Sequence, residues 1–569
     1  MSALPSLLVQ SARAWLAREA PDFPPDLQRA VEALYEAVET GHVCIRVELA
    51  PADAWRATGW VGRPGEYRPF ILDEGGRFYL ARYHDHEECV AASLLLRADR
   101  PLEPQNPSAL RHDLSALFPA DDPEDRQRLA ALLAQFKALT LVSGGPGTGK
   151  TTTVVKMLAL LQLQAGVLPL HILLAAPTGK AAQRLSESIR GAKASLAVPA
   201  AVTAAIPEQA QTLHRLLGAQ GDSGRYRHDA GNPLACDVLL IDEASMIDLA
   251  MMRAVLVALP AHARLVLLGD RDQLASVEAG SVFGDLCASE GYSATLAQRL
   301  APFDVTPQVV PKAQGLADCR IELTRSYRFA ADSAIGALAS ASRVGDAGRF
   351  LAALASGSDV GRMASTTLRE ALQQGYAAFR AAAREGEAAA AFAAFLRFRV
   401  LCAHRQGAAG VEGLNALLEP ATGGWYVGRP VIVRTNDYAL RLFNGDIGIC
   451  LATPDGLRVF FEVAPGEFRV LAPGRLPAHE PAWAMTVHQA QGSEFDEVLL
   501  VLPDAMTPVL NRPLLYTAVT RARRRFTLCA SDAVVEATLA ALPWRESGLV
   551  EKLRDGVGRH PCEADGSMS

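Results

Sequence analysis

From Ala138 onward the apolar residues come in short runs, each closed by small or polar residues and followed by sequence of helical character. LTLVSG, HILLAAP, DVLLIDE and RLVLLGD form a first set. Runs of this length fit strands buried on both faces. Alternation of such strands with helices predicts a parallel sheet covered on both sides, with ligands at the strands' carboxyl ends. A second set follows in FRVLCAH, RPVIVRT and EVLLVLP. The Pro-rich stretch LAPFDVTPQVVPKAQG between the sets reads as a domain boundary.

Elsewhere the pattern changes. Residues 369–397, full of Ala with scattered Arg and Glu, predict helix. From Arg429 to about Leu471 the residues alternate, with turns at Asn444-Gly445 and Pro465-Gly466, which predicts strands in tight hairpins. The first 105 residues hold Trp55, Trp60 and the run RFYLARYHDHEECVAASLLLRA, and predict a small α-rich domain. The opening segment has no basic lead and soon meets charge, so it reads as an amphipathic helix and not a signal peptide. RHPCEADGSMS predicts a frayed tail.

A chain of 569 residues exceeds what one hydrophobic core can hold, and three or four domains are expected. Apolar residues make up 50% and charged residues 21%, which excludes extended disorder. The net charge of −6 leaves nucleic acid open, because binding needs a local basic groove and not a basic whole. No apolar run reaches the length of a membrane span, so no membrane partner is expected. The nine cysteines include no C-x-x-C pair and read as buried or free thiols of a reducing cytoplasm. His84, Asp85, His86, Glu87, Glu88 and Cys89 are consecutive, so their side chains diverge on any regular element and predict a solvated helix end, not a metal site.

The strongest chemical signal is Gly144-Gly145-Pro146-Gly147-Thr148-Gly149-Lys150-Thr151, followed by Thr152. It stands after one predicted strand and before a predicted helix, the context a phosphate-binding loop requires. The glycines let backbone N–H groups face a phosphate chain, and the helix amino terminus adds partial positive charge. Lys150 is expected on the β- and γ-phosphates of ATP, and the Thr151 hydroxyl on Mg²⁺. Asp242-Glu243 ends another predicted strand. Asp242 is expected to hold the Mg²⁺, and Glu243 to orient and deprotonate the attacking water. No N-K-x-D signature supports guanine recognition.

Further residues, in order, give the chain a resemblance to superfamily 1 helicases. Gln127 resembles the glutamine that reads adenine. Ala176-Pro177-Thr178-Gly179-Lys180-Ala181-Ala182 and Gln211-Thr212-Leu213-His214 resemble motifs that contact DNA. Gly269-Asp270-Arg271-Asp272-Gln273-Leu274 and Ser326-Tyr327-Arg328 resemble motifs III and IV. The stretch from Ala484 to Phe495 resembles motif V, although Gln489 and Ala490 replace its usual Lys and Ser. Tyr516-Thr517-Ala518-Val519-Thr520-Arg521-Ala522-Arg523 resembles motif VI. The resemblance implies that Gln273 senses the γ-phosphate, Tyr327 stacks on adenine, and Arg328 and Arg521 reach the γ-phosphate. It implies Glu494 on the ribose, and Thr178, His214, Thr486 and His488 near DNA.

SGGPGTGKTTT, APTGKAAQRL, DVLLIDEASMIDLAMM, LGDRDQLASVEAGSVFGDL, LTRSYRF and GRPVIVRTNDYALRLFNGDIGI are similar to the RecD family, the alpha subunits of exodeoxyribonuclease V. This implies an α/β fold with two RecA-like P-loop domains: residues 106–300 with an inserted subdomain about 194–236, and residues 301–550 with an inserted β-barrel about 431–475. An α-rich docking domain spans 1–105 and a tail 551–569. The implied activity is ATP-dependent 5′–3′ DNA unwinding at double-strand ends, beside a RecB-like nuclease and a RecC-like partner on which the chain docks, in the bacterial cytoplasm at the nucleoid. No nuclease-like set of carboxylates is present. Two alternatives are a stand-alone RecD-like helicase and an ATP-switched DNA-binding scaffold.

Overall fold

The computed structural model describes residues 7–19, 23–119, 125–166, 168–221, 224–276, 278–329, 333–420, 423–437, 439–464 and 466–556. The expected frayed tail RHPCEADGSMS lies outside them, as does Pro465 of the expected hairpin turn.

The amino-terminal domain is not simply α-rich. Strands β1 (Cys44–Arg46), β2 (Val61–Gly62), β3 (Phe70–Leu72) and β4 (Arg77–Leu80) form a sheet in the order β1-β4-β3-β2. The helix Pro25–Glu39 covers it, and Leu27, Val31, Leu34, Trp55, Phe70 and Phe78 build a separate core. The strands are two to four residues long, too short for any period to stand out in the sequence. The long helix Ala81–Asp99 turns Val90, Ala91, Leu94 and Ala98 toward the core of the first parallel-sheet lobe. Arg97 Nη2 also donates to the Leu259 carbonyl there at 2.9 Å.

The first lobe is a six-stranded parallel sheet. Its strands are β5 (Leu139–Gly144), β6 (Ile172–Ala176), β7 (Gln211–Thr212), β8 (Val238–Ile241), β9 (Arg264–Gly269) and β10 (Arg320–Leu323), in the order β10-β5-β9-β8-β6-β7. β5 is buried along its whole length, as a strand under helices on both faces must be. Two expectations change here. The boundary at residues 300/301 falls inside the lobe, because β10 pairs with β5 from Arg320↔Leu141 to Leu323↔Gly144. The Pro-rich stretch is therefore a loop before the last strand of this sheet. Residues 194–236 are also not a separate unit among the described residues. They supply β7 to the sheet edge, and Ile206, Leu213, Leu217 and Leu234 join the lobe's own cores.

The second lobe is built from β11 (Val360–Arg362), β12 (Phe398–Cys402), β18 (Ala484–Thr486), β19 (Phe495–Val501) and β20 (Ala522–Cys529), all parallel, in the order β11-β20-β19-β12-β18. The Ala-rich region forms the expected helices Ala377–Glu385 and Ala388–Arg397. RPVIVRT, grouped with this lobe's runs but also within the expected insert, belongs to the insert. Its β13 (Pro430–Val433) pairs antiparallel with β14 (Ile447–Thr453), which continues through β15 (Gly456–Ala464) to β16 (Glu467–Leu471), and β17 (His479–Pro481) lies on the other side of β13. A four-residue buried run looks the same in either kind of sheet. The order β16-β15-β14-β13-β17 records no pairing between its two ends, so the expected barrel is an open antiparallel sheet among the described residues, with a core of Val431, Val433, Cys450, Val459 and Phe461.

After the helix Asp532–Ala540 the chain crosses back to the first lobe. Val43 N donates to the Glu546 carbonyl at 2.9 Å, and Arg46 Nε to its carboxylate at 2.6 Å. The helix Leu549–Asp555 buries Leu549 and Leu553 in the first lobe's core, so residues 551–555 are docked helix and not tail. No helix among the described residues is long and apolar enough to cross a membrane, and no group of three or more His, Cys, Asp or Glu could hold a metal. Seven described cysteines are free and buried.

Candidate active site

The phosphate loop follows β5 and leads into the helix Lys150–Leu163. Gly147 and Gly149 have φ of +78° and +79°, a region that suits glycine. Space also demands them. A Cβ on Gly147 would stand 2.2 Å from Arg328 Cβ, and one on Gly149 would stand 2.8 Å from Gln127 Nε2 and 3.7 Å from the Tyr327 ring. The loop's two neighbours expected at adenine, Gln127 and Tyr327, thus meet over one glycine. Tyr327 N donates to the Gly147 carbonyl at 2.8 Å while its ring is 61% exposed, open to stacking. Thr148 Oγ1 donates to the Gly145 carbonyl at 2.8 Å. Lys150 Nζ donates to the carbonyls of Gly144 and, at 3.2 Å, Gly145. Thr151 is half-buried and Thr152 exposed on the first helical turn.

β8 delivers the acid pair. Asp242 N donates to the Ala175 carbonyl at 2.9 Å, and Asp242 Oδ1 accepts from Glu243 N at 2.9 Å. Glu243 has φ +53°, a strained conformation for a residue with a Cβ, of the kind that persists where surrounding structure imposes it. Burial and the neighbouring Glu243 push the Asp242 carboxyl up to about 6, against the pull of Lys150.

β9 ends in the third element of the site. Gln273 Nε2 donates to Asp270 Oδ2 at 2.8 Å, and Tyr516 of the second lobe donates to the same oxygen at 3.0 Å. Leu274 N donates to Thr517 Oγ1 at 3.0 Å, and Gln491 Nε2 donates to the Leu274 carbonyl at 2.8 Å. This loop is therefore one contact through which the lobes meet.

Two arginines face the loop, and only Arg521 comes from the far lobe. Arg521 is 1% exposed, and its Nη2 donates to Gln273 Oε1 at 3.2 Å. Arg328 lies not in the second lobe's sheet but on the crossover just after β10, against Gly147. Its Nη2 donates to Glu494 Oε1 at 2.7 Å. Burial, with Arg184, Arg521 and Arg523 beside it, pushes Arg328 down to about 9. Glu494 itself is gripped by Arg184, Arg328 and Arg523, an arrangement the expected ribose role did not foresee.

The structure thus gathers Gln127, the loop through Thr152, Asp242, Glu243, Gln273, Tyr327, Arg328, Glu494 and Arg521 at one cleft. The residues expected near DNA stand apart, at carboxyl ends of strands at or next to a sheet edge. Thr178 follows β6 and caps the next helix, accepting from Ala181 N at 3.2 Å, and His214 lies exposed just after neighbouring β7. Thr486 ends β18 and accepts from Gln489 N at 3.2 Å. His488 is half-buried, and burial with Arg545 nearby lowers its pKa. Residues that sequence reasoning left out of the site are Asp270, Tyr516, Arg184 and Arg523. All four sit inside quoted stretches, and that was the available signal.

A phosphate loop, an acid pair on a nearby strand, and cations reaching across from a second parallel-sheet lobe define a two-lobed P-loop NTPase. Residues 127–279 match the AAA domain family, and residues 481–529 match the UvrD-like helicase C-terminal domain. The chain is 40% identical over 563 residues to the RecBCD enzyme subunit RecD of Mycolicibacterium smegmatis, covering 93% of this chain and 94% of that one. It is 37% identical over 490 residues to the RecBCD enzyme subunit RecD of Haemophilus influenzae, covering 78% and 75%. Against the ATP-dependent RecD2 DNA helicase of Deinococcus radiodurans it is 34% identical over 430 residues, 73% of this chain and 50% of that one. The crystal structure of Bacteroides Pif1 bound to ssDNA superposes with a TM-score of 0.39 at 18% identity, covering 73% and 94%. The chain belongs to the RecD family of superfamily 1 helicases.

Proposed function

We propose that this chain is an ATP-driven DNA translocase and helicase, moving 5′ to 3′ as the RecD-type subunit of a complex that processes DNA double-strand ends. The observation that carries the reading is Arg521 of the second lobe bonded to Gln273 of the first, with Arg328 packed on the glycine loop.

In this reading ATP lies over the loop with its adenine between Gln127 and Tyr327. Lys150 leaves the carbonyls of Gly144 and Gly145 for the β- and γ-phosphates. Glu243 orients the attacking water and takes its proton. Charge that builds on the γ-phosphate oxygens is met by Arg328 and Arg521, and inserted arginines of this kind are worth about 10³–10⁵ in rate. Thr151 and Asp242 offer hard oxygen donors that fit Mg²⁺, which when bound neutralises phosphate charge. Loss of the γ-phosphate removes the anion that holds the arginines, so Gln273 and the Asp270–Tyr516 contact relay the change between lobes. Thr178 and His214 on one lobe, and Thr486 and His488 on the other, then grip single-stranded DNA alternately.

The nuclease of such a complex resides in a RecB-like chain. The amino-terminal domain, residues 1–105, is the docking surface for a RecC-like chain, and the molecule works in the cytoplasm at the nucleoid. Lys150→Gln tests the motor directly. DNA-stimulated ATP hydrolysis should disappear with the fold retained, and undiminished hydrolysis would refute it. Co-purification with RecB-like and RecC-like chains tests the complex, and a solitary protein would favour the stand-alone alternative.

A further inference from the structure

Glu494 ends the stretch that leads into β19, and its side chain is 3% exposed. Three guanidinium groups from three separate segments reach it. Arg184, on the first-lobe helix Gly179–Lys193, meets Oε1 and also donates to the Gly492 carbonyl at 3.3 Å. Arg328, on the crossover, meets Oε1 at 2.7 Å. Arg523, at the start of β20, meets Oε2 at 3.1 Å. Arg521 lies alongside, donating to the Ser493 carbonyl at 3.1 Å.

This cage holds more positive charge and more donors than its carboxylate can use. A guanidinium stays protonated even when buried, so crowding is endured as repulsion and not relieved by proton loss. Arg328 Nη1 and Ser493 Oγ are buried with no hydrogen-bond partner among the described residues, a costly condition that a further acceptor would remove. Arg184 stands close enough to the acid pair to interact with both Glu243 and Asp242, and Arg328 packs on Gly147. The cage therefore borders the place where a γ-phosphate would lie. Arginine forks bind a phosphate as readily as a carboxylate.

We propose that Glu494 is not a ribose ligand but an internal counter-anion, which competes with the γ-phosphate of ATP for Arg184 and Arg328, making Arg184 a third phosphate-binding cation. The inference rests on the function proposed above. ATP displaces the carboxylate from the two guanidinium groups, its γ-phosphate satisfies the orphaned donors, and Glu494 reclaims the arginines once inorganic phosphate departs. ADP, which lacks the third phosphate, leaves Glu494 in place. The cage thereby discriminates triphosphate from diphosphate and ties that choice to lobe closure, since Arg184 and Glu494 belong to different lobes.

Equilibrium binding of a non-hydrolysable ATP analogue, ADP and 2′,3′-dideoxy-ADP to the full chain tests this. Glu494→Gln, close in shape, should tighten the ATP analogue by about tenfold and leave both diphosphates within about twofold of wild type. Arg184→Gln should weaken the ATP analogue by about tenfold with ADP unchanged, and Arg184→Lys should restore part of the loss. If Glu494→Gln instead weakens ADP down to the level of its dideoxy analogue, Glu494 holds the ribose and the inference falls. It falls equally if Arg184→Gln binds the ATP analogue as wild type does. Lys150→Gln separates the two levels: undiminished binding of every nucleotide in that variant would overturn the site itself, not the role of Glu494.

Discussion

Two buried glutamates sit at the centres of two polar knots, and they are built on opposite plans. Glu87 joins the amino-terminal domain to the returning carboxyl-terminal segment. It is fully buried and takes donors from Ser547 Oγ at 2.9 Å, Gly548 N at 2.9 Å, Lys552 Nζ at 2.7 Å and Tyr79 Oη at 3.2 Å. One cation faces one anion, and both carboxylate oxygens are used. Glu494, between the motor lobes, faces three guanidinium groups and leaves donors beside it unused. A satisfied buried ion pair locks structure in one arrangement. A cage with surplus charge has a second arrangement available, reached when another anion arrives. Stability should therefore respond to the first knot and turnover to the second.

The largest expected effect is on turnover. Arg521→Ala should lower kcat for DNA-stimulated ATP hydrolysis by about 10³ or more with little change in ADP affinity, read by steady-state kinetics and nucleotide titration. Glu87→Ala should leave kcat per folded molecule intact but cost about 3–5 kcal/mol of stability, because Lys552 loses its buried partner. Chemical denaturation measures it, and an equal loss from both knots would erase the contrast. Gly147→Ala should cut turnover by roughly 10², since its Cβ would collide with Arg328 at a backbone angle suited to glycine. Turnover at the wild-type rate would show that Arg328 need not lie where it does.

The last effect is one of pH. Burial raises Asp285, whose Oδ2 lies 3.1 Å from Ser547 Oγ beside Glu87, to about 7. A carboxyl whose folded pKa exceeds its unfolded value near 3.9 holds its proton more tightly in the fold, so its contribution is greatest at low pH and is lost as pH rises from about 4 through 7. Asp285→Asn should match wild-type stability near pH 4 and exceed it by a few kcal/mol at pH 8, read as thermal unfolding at the two values.

The nucleotide half of the cleft was readable because each part is a contiguous string in a definite context. The glycine loop follows a strand and opens a helix, Asp242-Glu243 ends a strand, and Gln273 sits four residues past the end of another. What the sequence hid depends on distant pairing. β10 belongs to the first sheet only through its contact with β5, about 180 residues earlier, so a Pro-rich loop before it posed as a domain boundary. RPVIVRT fitted both the second lobe's runs and the insert, because burial on both faces leaves no period to read. The helix Leu549–Asp555 looked like a tail because its partners, Glu87 and the helix Ala81–Asp99, lie at the far end of the chain. Glu494 was the subtlest case. Its motif names a single ligand, whereas its cage draws on Arg184, 310 positions away, and on Arg328, 166 positions away.

The central claim is that Arg328 on the crossover and Arg521 of the second lobe complete a phosphate site founded on the first lobe. The ratio of affinities for a non-hydrolysable ATP analogue and for ADP, measured by titration of the Arg328→Ala/Arg521→Ala double variant, tests it most directly. With both guanidinium groups gone the preference for the third phosphate should vanish while ADP still binds the loop. A double variant that keeps the wild-type ratio would contradict the account.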